Sequence, residues 1–118
     1  MVKSVKRKTK DFNPNGCPVT FCLNVIGGKW KPVIIHLLRK GCNRYSMFQK
    51  AIPDISKQTL TNQLRELEVD GVIERIVYPE IPPRVEYKIT SYGLSLLPIV
   101  DNMSQWGLKQ MKKTKSSS

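Results

Sequence analysis

The apolar residues of this chain change their spacing at Gly71, and this change constrains the possible folds more than any other feature of the sequence. Before Gly71, apolar residues recur every three or four positions, which is typical of amphipathic helices. After it, residues 72–78 and 84–89 show the two-residue period of strands. Residues 79–83, three of them proline, predict a stiff, projecting hairpin loop. The pattern therefore predicts a helical chain that carries one β-hairpin.

Cap and turn residues divide the rest of the chain into elements. Ser56 is a favourable N-cap, Pro18 suits a first helical turn, and Pro98 would kink the last helix unless that helix begins later. The predicted helices are 18–26, 29–40, 47–51 (capped by Ser46), 57–70 and one from about residue 90 past Trp106, with a very short strand at 44–45. This is a mainly α chain with a small β-hairpin, of the α+β class. Its length of 118 residues suits one domain.

The segment from Ser46 to Gly71 has the outline of a helix-turn-helix, in which the second helix enters the DNA major groove. The face of that helix opposite its three buried leucines carries hydrogen-bond donors and no acid before Glu66. Amides match adenine edges and arginine matches guanine. The predicted DNA-binding residues are Ser56, Lys57, Gln58, Thr59, Thr61, Asn62 and Arg65, together with Arg84 in the hairpin, which would act as a wing. The alternatives are a solvated amphipathic face and, for Arg84, an exposed surface cation.

The net charge of +11 is concentrated at the two ends of the chain. Residues 1–16 and 109–118 each carry +4, whereas residues 17–108 carry only +3. We predict a flexible basic arm over 1–16, an ordered domain over 17–108 and a basic, disordered tail over 109–118. Basic tails bind nucleic acid through phosphates without sequence preference, but they also serve solubility alone. The functional prediction therefore depends on the ordered domain.

Several short motifs occur in one order and spacing along that domain. They are Cys17-Pro18, Gly27-Gly28-Lys29-Trp30, Ile55–Thr61, Leu64–Glu68, Asp70–Arg75, Pro82–Tyr87, Ile89-Thr90 with Gly93, and Trp106. With this arrangement the chain resembles, over about residues 17–108, the HxlR-type family of bacterial and archaeal winged helix-turn-helix regulators, which is related to the MarR type. The resemblance implies a transcription regulator that binds an inverted-repeat operator in double-stranded DNA as a homodimer. Ile89 is a mild departure, since the family usually has Leu there.

The last helix carries more apolar surface than a small core can bury. Its two apolar stripes are Leu94, Leu97 and Val100, and Leu96, Ile99, Met103 and Trp106. An unburied apolar patch of that size usually marks an interface. We therefore predict a dimer formed by the N- and C-terminal helices, and its predicted interface residues are Phe21, Val25, Leu96, Ile99, Met103 and Trp106. The alternative is that this helix only packs across its own domain.

Cys17 is the candidate redox-sensing residue. It lies at a predicted helix N-terminus beside the basic arm, and both features stabilise a thiolate. The resemblance adds that some members of the family sense electrophiles or oxidants through a cysteine at this position, so an oxidant or a small molecule is a candidate effector. The alternative is a buried structural thiol. Cys22 is expected in the core, and Cys42 has no activating feature.

The sequence argues against an enzyme, a metalloprotein and a membrane protein. Three cysteines without a CxxC pair and one histidine predict no metal or other cofactor. A nucleophilic Cys17 would need a base in reach, and His36 lies among apolar neighbours on another helix. No apolar run reaches the ~18 residues of a membrane span, and the N-terminus lacks the apolar core of a signal peptide, so a cytoplasmic protein is expected. The alternative function is a winged-helix adaptor that contacts proteins within a transcription complex.

Overall fold

The structure, a computed structural model, describes residues 16–117, with side chains as far as residue 114. The elements in this range are α1 (Pro18–Ile26), α2 (Lys31–Arg39), α3 (Tyr45–Ala51), α4 (Lys57–Val69), β1 (Ile73–Tyr78), β2 (Arg84–Ile89), α5 (Ser91–Leu94) and α6 (Leu97–Ser117). This order confirms the predicted mainly α chain with one hairpin. The predicted flexible arm lies outside the described residues except for Gly16. None of the described helices is both long and apolar enough to cross a membrane.

The core lies where α2, α3, α4 and the base of the hairpin meet. Its fully buried side chains are Ile34, Ile35, Phe48, Leu60, Leu64, Leu67, Val72 and Ile73. The three leucines follow each other along α4 at spacings of four and three residues, so they face the core together. Each leucine buried in this way contributes about 1.5–3 kcal/mol to folding. The opposite face of α4 is thereby fixed toward solvent.

Both ends of α4 are set by local sequence. The Ser56 hydroxyl accepts a hydrogen bond from the Thr59 backbone N–H at 3.1 Å, which confirms the predicted cap. At the other end Gly71 has a φ of +79°, a left-handed conformation in which a side chain is strained. The chain turns there directly into β1. The helix and the hairpin are therefore joined without a flexible linker.

The region around α3 differs from the prediction in two respects. Residues 44–45 do not form a strand, because α3 begins at Tyr45, and Ser46 lies inside the helix rather than at its cap. The N-cap is Arg44, which makes no side-chain capping bond. The backbone carbonyl of Asn43 nevertheless accepts a hydrogen bond from the Tyr87 N–H of β2 at 2.8 Å. This single bond attaches the hairpin to the segment before α3.

The hairpin is antiparallel and is held firmly at its base. Its register pairs Ile73 with Ile89 and Tyr78 with Arg84. The backbone N–H and the hydroxyl of Thr90 both donate to the carbonyl of Val72 at 3.0 Å, and the hydroxyl also lies 2.5 Å from the Gly71 carbonyl. Because these carbonyls follow directly after α4, the base of the hairpin is fixed to the end of that helix.

The last helical region differs from the single helix predicted from about residue 90. It consists of α5, a break at residues 95–96, and α6, which has Pro98 in its first turn, where proline is tolerated. The helix that contains Pro98 thus begins at Leu97 rather than near residue 90, which avoids a kink at the proline. It also continues to Ser117, across the segment for which we predicted a disordered tail. Val100 packs into the core, and Asp101 pairs with Arg39 of α2, so α6 is attached to the domain near its start.

Candidate nucleic-acid interface

Four polar side chains of α4 lie on its exposed face without a protein partner. Lys57, Gln58, Asn62 and Arg65 are all exposed. Within residues 16–117, none of these side chains forms a hydrogen bond or an ion pair. No acid lies among them, and they begin at the N-terminal end of the helix. This face therefore presents free hydrogen-bond donors and two cations to solvent.

The three remaining predicted residues of α4 are occupied within the protein. The Ser56 hydroxyl caps the helix and also hydrogen-bonds to the Thr59 hydroxyl at 2.8 Å. The Thr61 hydroxyl lies 3.2 Å from the Tyr45 hydroxyl, which in turn donates to the Lys57 backbone carbonyl at 3.0 Å. Tyr45 thus connects α3 to the first two turns of α4. The hydroxyls of Tyr45 and Thr61 thus hold the two helices of the helix-turn-helix together, a role that the sequence did not reveal.

The hairpin places Arg84 where β2 begins, next to the proline-rich loop. Its guanidinium donates to Glu80 at 2.9 Å and to Glu86 at 2.5 Å, and it stacks over the ring of Tyr78 at 3.8 Å. The hydrogen bonds that Arg84 donates to Glu80 and to Glu86, the former having the larger effect, raise the pKa of Arg84 above its ordinary value. Arg84 is therefore bonded within the wing in this structure, and its predicted contact with DNA stays a prediction.

A buried lysine of α2 forms an ion pair with an exposed carboxylate of α4. Lys31, the first residue of α2, is only 6% exposed, and its ammonium lies 2.6 Å from the carboxylate of Glu66. Lysine is seldom buried unless it is paired. Glu66 is the first acidic residue of α4, and its carboxylate is paired with Lys31. No pattern in the sequence indicated this pair, because a lysine at a helix start normally faces solvent.

Cys17 occupies the N-cap of α1 and is partly buried. Hydrogen bonds from the backbone of Thr20 and then of Val19 lower the pKa of the Cys17 thiol, and burial opposes them only in part. Cys17 thus lies at a helix N-terminus, as predicted, and the pKa of its thiol is lowered, as expected for that position. Cys22 and Cys42 pack against the core, as expected for Cys22. No group of three or more potential metal ligands occurs among the described residues.

The predicted dimer residues separate into two groups. Val25 and Leu96 are buried in the core of their own chain, so we remove them from the candidate interface. Phe21 of α1, at 62% exposed, and Trp106 of α6, at 68%, project apolar rings into solvent. Ile99 and Met103 are exposed between them in chain order. The described part of the chain leaves these apolar surfaces of α1 and α6 uncovered.

The family of the chain follows from comparison with known proteins. The model of the HxlR-like helix-turn-helix proteins matches residues 25–115, which include the helix-turn-helix, the wing and most of α6. The chain belongs to the HxlR-like helix-turn-helix family. Among its relatives is the HTH-type transcriptional regulator YybR of Bacillus subtilis, 48% identical over 100 residues that cover 83% of this chain and 80% of the relative. A regulator from Methanothermobacter thermautotrophicus is 48% identical over 91 residues, covering 77% and 70%.

Solved structures agree with this assignment. The redox regulator HypR in its reduced form has a TM-score of 0.79 and 44% identity, covering 85% of the HxlR-like chain and 99% of HypR. HypR in its oxidised form has a TM-score of 0.76 and 47% identity, covering 79% and 96%. A MarR-family regulator from Porphyromonas gingivalis has a TM-score of 0.72 and 36% identity, covering 83% and 96%. The HxlR-like chain is thus a winged helix-turn-helix transcriptional regulator, as its sequence motifs indicated.

Sequence reasoning also missed part of the apolar surface of the HxlR-like chain. Val19 and Leu23 of α1 are also exposed, and Leu108 and Met111 extend the apolar surface of α6. Met111 was missed because the helix was expected to give way to a disordered tail after residue 108. A signal was present in the sequence, since apolar residues continue at helical spacing as far as Met111.

Proposed function

We propose that this regulator binds double-stranded DNA as a homodimer and reads an inverted-repeat operator with α4. The observation that supports this most directly is the exposed, acid-free and unpartnered face formed by Lys57, Gln58, Asn62 and Arg65. A face that served only solubility would mix acids with bases, and its cations would pair with them. Free donors beside a wing suit a helix that lies in the major groove.

Each of these side chains has a role that follows from its chemistry. Gln58 and Asn62 can bond in bidentate fashion to an adenine edge, and Arg65 to a guanine edge. Lys57, at the first turn, suits a phosphate. We propose that Arg84 contacts phosphate only by exchanging its bond to Glu80 for one to the DNA, because its guanidinium is already occupied by carboxylates.

Two copies would be joined through the uncovered apolar surfaces. Phe21 on α1 and Ile99, Met103 and Trp106 on α6 are large apolar side chains that the described part of the chain leaves exposed. Burial of such surface provides about 25 cal/mol per Å². A twofold dimer would place its two α4 helices roughly 34 Å apart, one turn of DNA, as an inverted repeat requires.

Selection of bound duplexes from a random DNA pool tests the DNA-binding proposal. We expect an inverted repeat with half-sites about ten base pairs apart, centre to centre. Gln58→Ala and Asn62→Ala should then weaken binding to the selected site more than binding to unrelated DNA. Gln105→Ala, the same kind of change at an exposed position of α6, is the control. If selection yields no motif and binding disappears as salt rises, the adaptor function would replace this proposal.

Sedimentation tests the proposed dimer surface. Met103→Glu and Trp106→Glu each place a charge in the apolar patch, so we expect a monomer that binds the operator poorly. Gln105→Glu adds the same charge between these two positions in the sequence, and it should leave the assembly unchanged. A dimer that persists in both patch variants would show that the two copies meet elsewhere.

We further propose that Cys17 responds to oxidants or electrophiles. HypR is named a redox regulator and is known in a reduced and an oxidised form, and the lowered pKa of Cys17 favours the reactive thiolate here. Iodoacetamide should modify Cys17 before Cys22 or Cys42, as mass spectrometry would show. Cys17→Ser should abolish any change in DNA binding caused by oxidant. An oxidant response that survives this substitution would exclude Cys17 as the sensor.

A further inference from the structure

A polar cleft of about 440 Å³ lies between α4 and the hairpin. We call it the helix–wing cleft, and its lining residues are Tyr45, Thr61, Arg65, Glu68, Arg75 and Tyr87. The α4 residues follow each other at spacings of four and three, so they form one stripe along the helix. Arg75 of β1 and Tyr87 of β2 are paired across the hairpin and so lie on one face of it. Residues of α3, α4 and both strands of the hairpin thus line one space.

The two arginines of the cleft differ from the arginines that build the fold. Arg39 and Arg84 each bond to at least one carboxylate. Arg65 and Arg75 are exposed and, among the residues that the structure describes, have neither an ion pair nor a hydrogen bond. Glu68 also lines the cleft but pairs with neither of them. The cleft therefore carries a net charge of +1 from two guanidiniums whose donors are free.

The walls of the cleft are held in place by contacts already described. Tyr45 is bonded to α4 through the Lys57 carbonyl and the Thr61 hydroxyl. The ring of Tyr87 packs edge-on against the buried Phe48, at 6.3 Å between ring centroids. The two arginines therefore lie against walls that the core fixes. Free arginine donors suit a phosphate, which guanidinium groups bind in bidentate fashion.

We infer that the helix–wing cleft is a phosphate site that holds one backbone phosphate of bound DNA, with Arg75 as a contact outside the recognition helix. This inference rests on the proposed function. In the proposed complex α4 lies in a major groove, and the wing reaches past the sugar–phosphate backbone that borders this groove. That DNA backbone then passes between α4 and the hairpin, next to the helix–wing cleft. Arg75 then contributes affinity without reading sequence, and it fixes the angle at which α4 enters the groove.

Salt-dependent binding to a labelled duplex of mixed sequence is the test. Each phosphate-binding cation contributes about −0.9 to the slope of log K against log salt, so its removal should make this slope less negative by about 0.9. The ratio of the parent's affinity to that of the variant should therefore be roughly eightfold larger at 0.1 M than at 1 M salt. We expect this change for Arg75→Ala and for Arg75→Gln, which keeps most of the side chain. Lys88→Ala is the control, because it removes one cation from the other face of the same hairpin. Thermal unfolding of each variant verifies that the wing is intact.

The outcomes separate this inference from the proposed function. A reduced slope for both Arg75 variants, but not for Lys88→Ala, supports the phosphate site. A slope equal to that of the parent protein, in a parent that binds the duplex, overturns it while the proposed function stands.

If the parent binds no duplex, the proposed function fails, and titration with inorganic phosphate decides the inference by NMR. Saturable shifts at Thr61 in the parent that are absent in Arg75→Ala would retain a site for a free phosphate group. The absence of such shifts would overturn the phosphate site, both for DNA and for free phosphate.

Discussion

A single methyl group at Gly93 should loosen the wing from the recognition helix. Gly93 is buried at α5, directly after the hairpin. A Cβ built on it would lie 2.2 Å from the carbonyl oxygen of Val72 and 2.8 Å from a methyl carbon of Ile89. The closer contact is with backbone, so it cannot be relieved by rotation of a side chain. The Gly93→Ala variant must instead move α5 away from the start of β1.

The cost of that movement can be worked out from the bonds it disturbs. Overpacking of this kind costs about 1–3 kcal/mol. The Val72 carbonyl also accepts hydrogen bonds from the N–H and the hydroxyl of Thr90, and each such bond contributes about 1 kcal/mol net. We expect Gly93→Ala to lower the free energy of unfolding by about 3 kcal/mol, and Tm by roughly 10 °C.

Gly107 supplies the matched control. It lies within α6, and a Cβ added there meets no atom within 4 Å. The same glycine-to-alanine change should therefore stabilise the protein by about 0.8–1.0 kcal/mol through helix propensity alone. Urea unfolding followed by circular dichroism, at one protein concentration, compares the two variants. If Gly93→Ala proved as stable as Gly107→Ala, the close packing of α5 against the hairpin base would be refuted.

Two further predictions concern ion pairs. Glu66→Gln leaves the buried ammonium of Lys31 without its carboxylate and should cost about 2 kcal/mol in urea unfolding, a figure reduced because Glu66 is 56% exposed. Lys31→Met removes the charge itself and should stay within about 1 kcal/mol of the parent, so equal destabilisation by the two variants would contradict this account. Hydrogen bonding to Arg39 lowers the pKa of Asp101, so this pair stabilises the fold above the ordinary carboxyl pKa and its contribution is lost as pH falls through the lowered value. The stability difference between the parent and Asp101→Asn should therefore be constant near neutral pH and shrink below about pH 4; a difference independent of pH would argue against it.

The elements that could be predicted from the sequence are those with local causes. Ser56 bonds three residues along the chain, and Gly71 adopts a left-handed conformation at the predicted end of the helix. The period of the apolar residues changes at the same glycine. For this reason α4 and the hairpin were predicted almost as they occur. The exposed donor face of α4 followed from the same pattern, since three buried leucines fix the orientation of the helix.

The features that could not be predicted depend on residues that are distant in the chain. Thr61 and Tyr45 meet only after α3 has packed against α4, so the hydroxyl of Thr61 was assigned to DNA. Glu66 and Lys31 are separated by 35 positions, so no local pattern of charges in the sequence indicated that they pair. For Arg84 the partners are near in sequence, but the hairpin must form before Glu80 and Glu86 can surround it.

These ion pairs change how the charge of the ordered domain should be interpreted. Its excess of only +3 over residues 17–108 is too small to distinguish a DNA-binding face. The structure places carboxylates against Lys31, Arg39 and Arg84, and leaves Arg65 and Arg75 free on either side of one cleft. Because a paired cation would have to give up its partner before it could meet a phosphate, Arg65 and Arg75 cost less to place against DNA than Arg84 does. Whether a given cation suits a phosphate thus depends on whether a carboxylate already holds it, and not on the net charge of the domain.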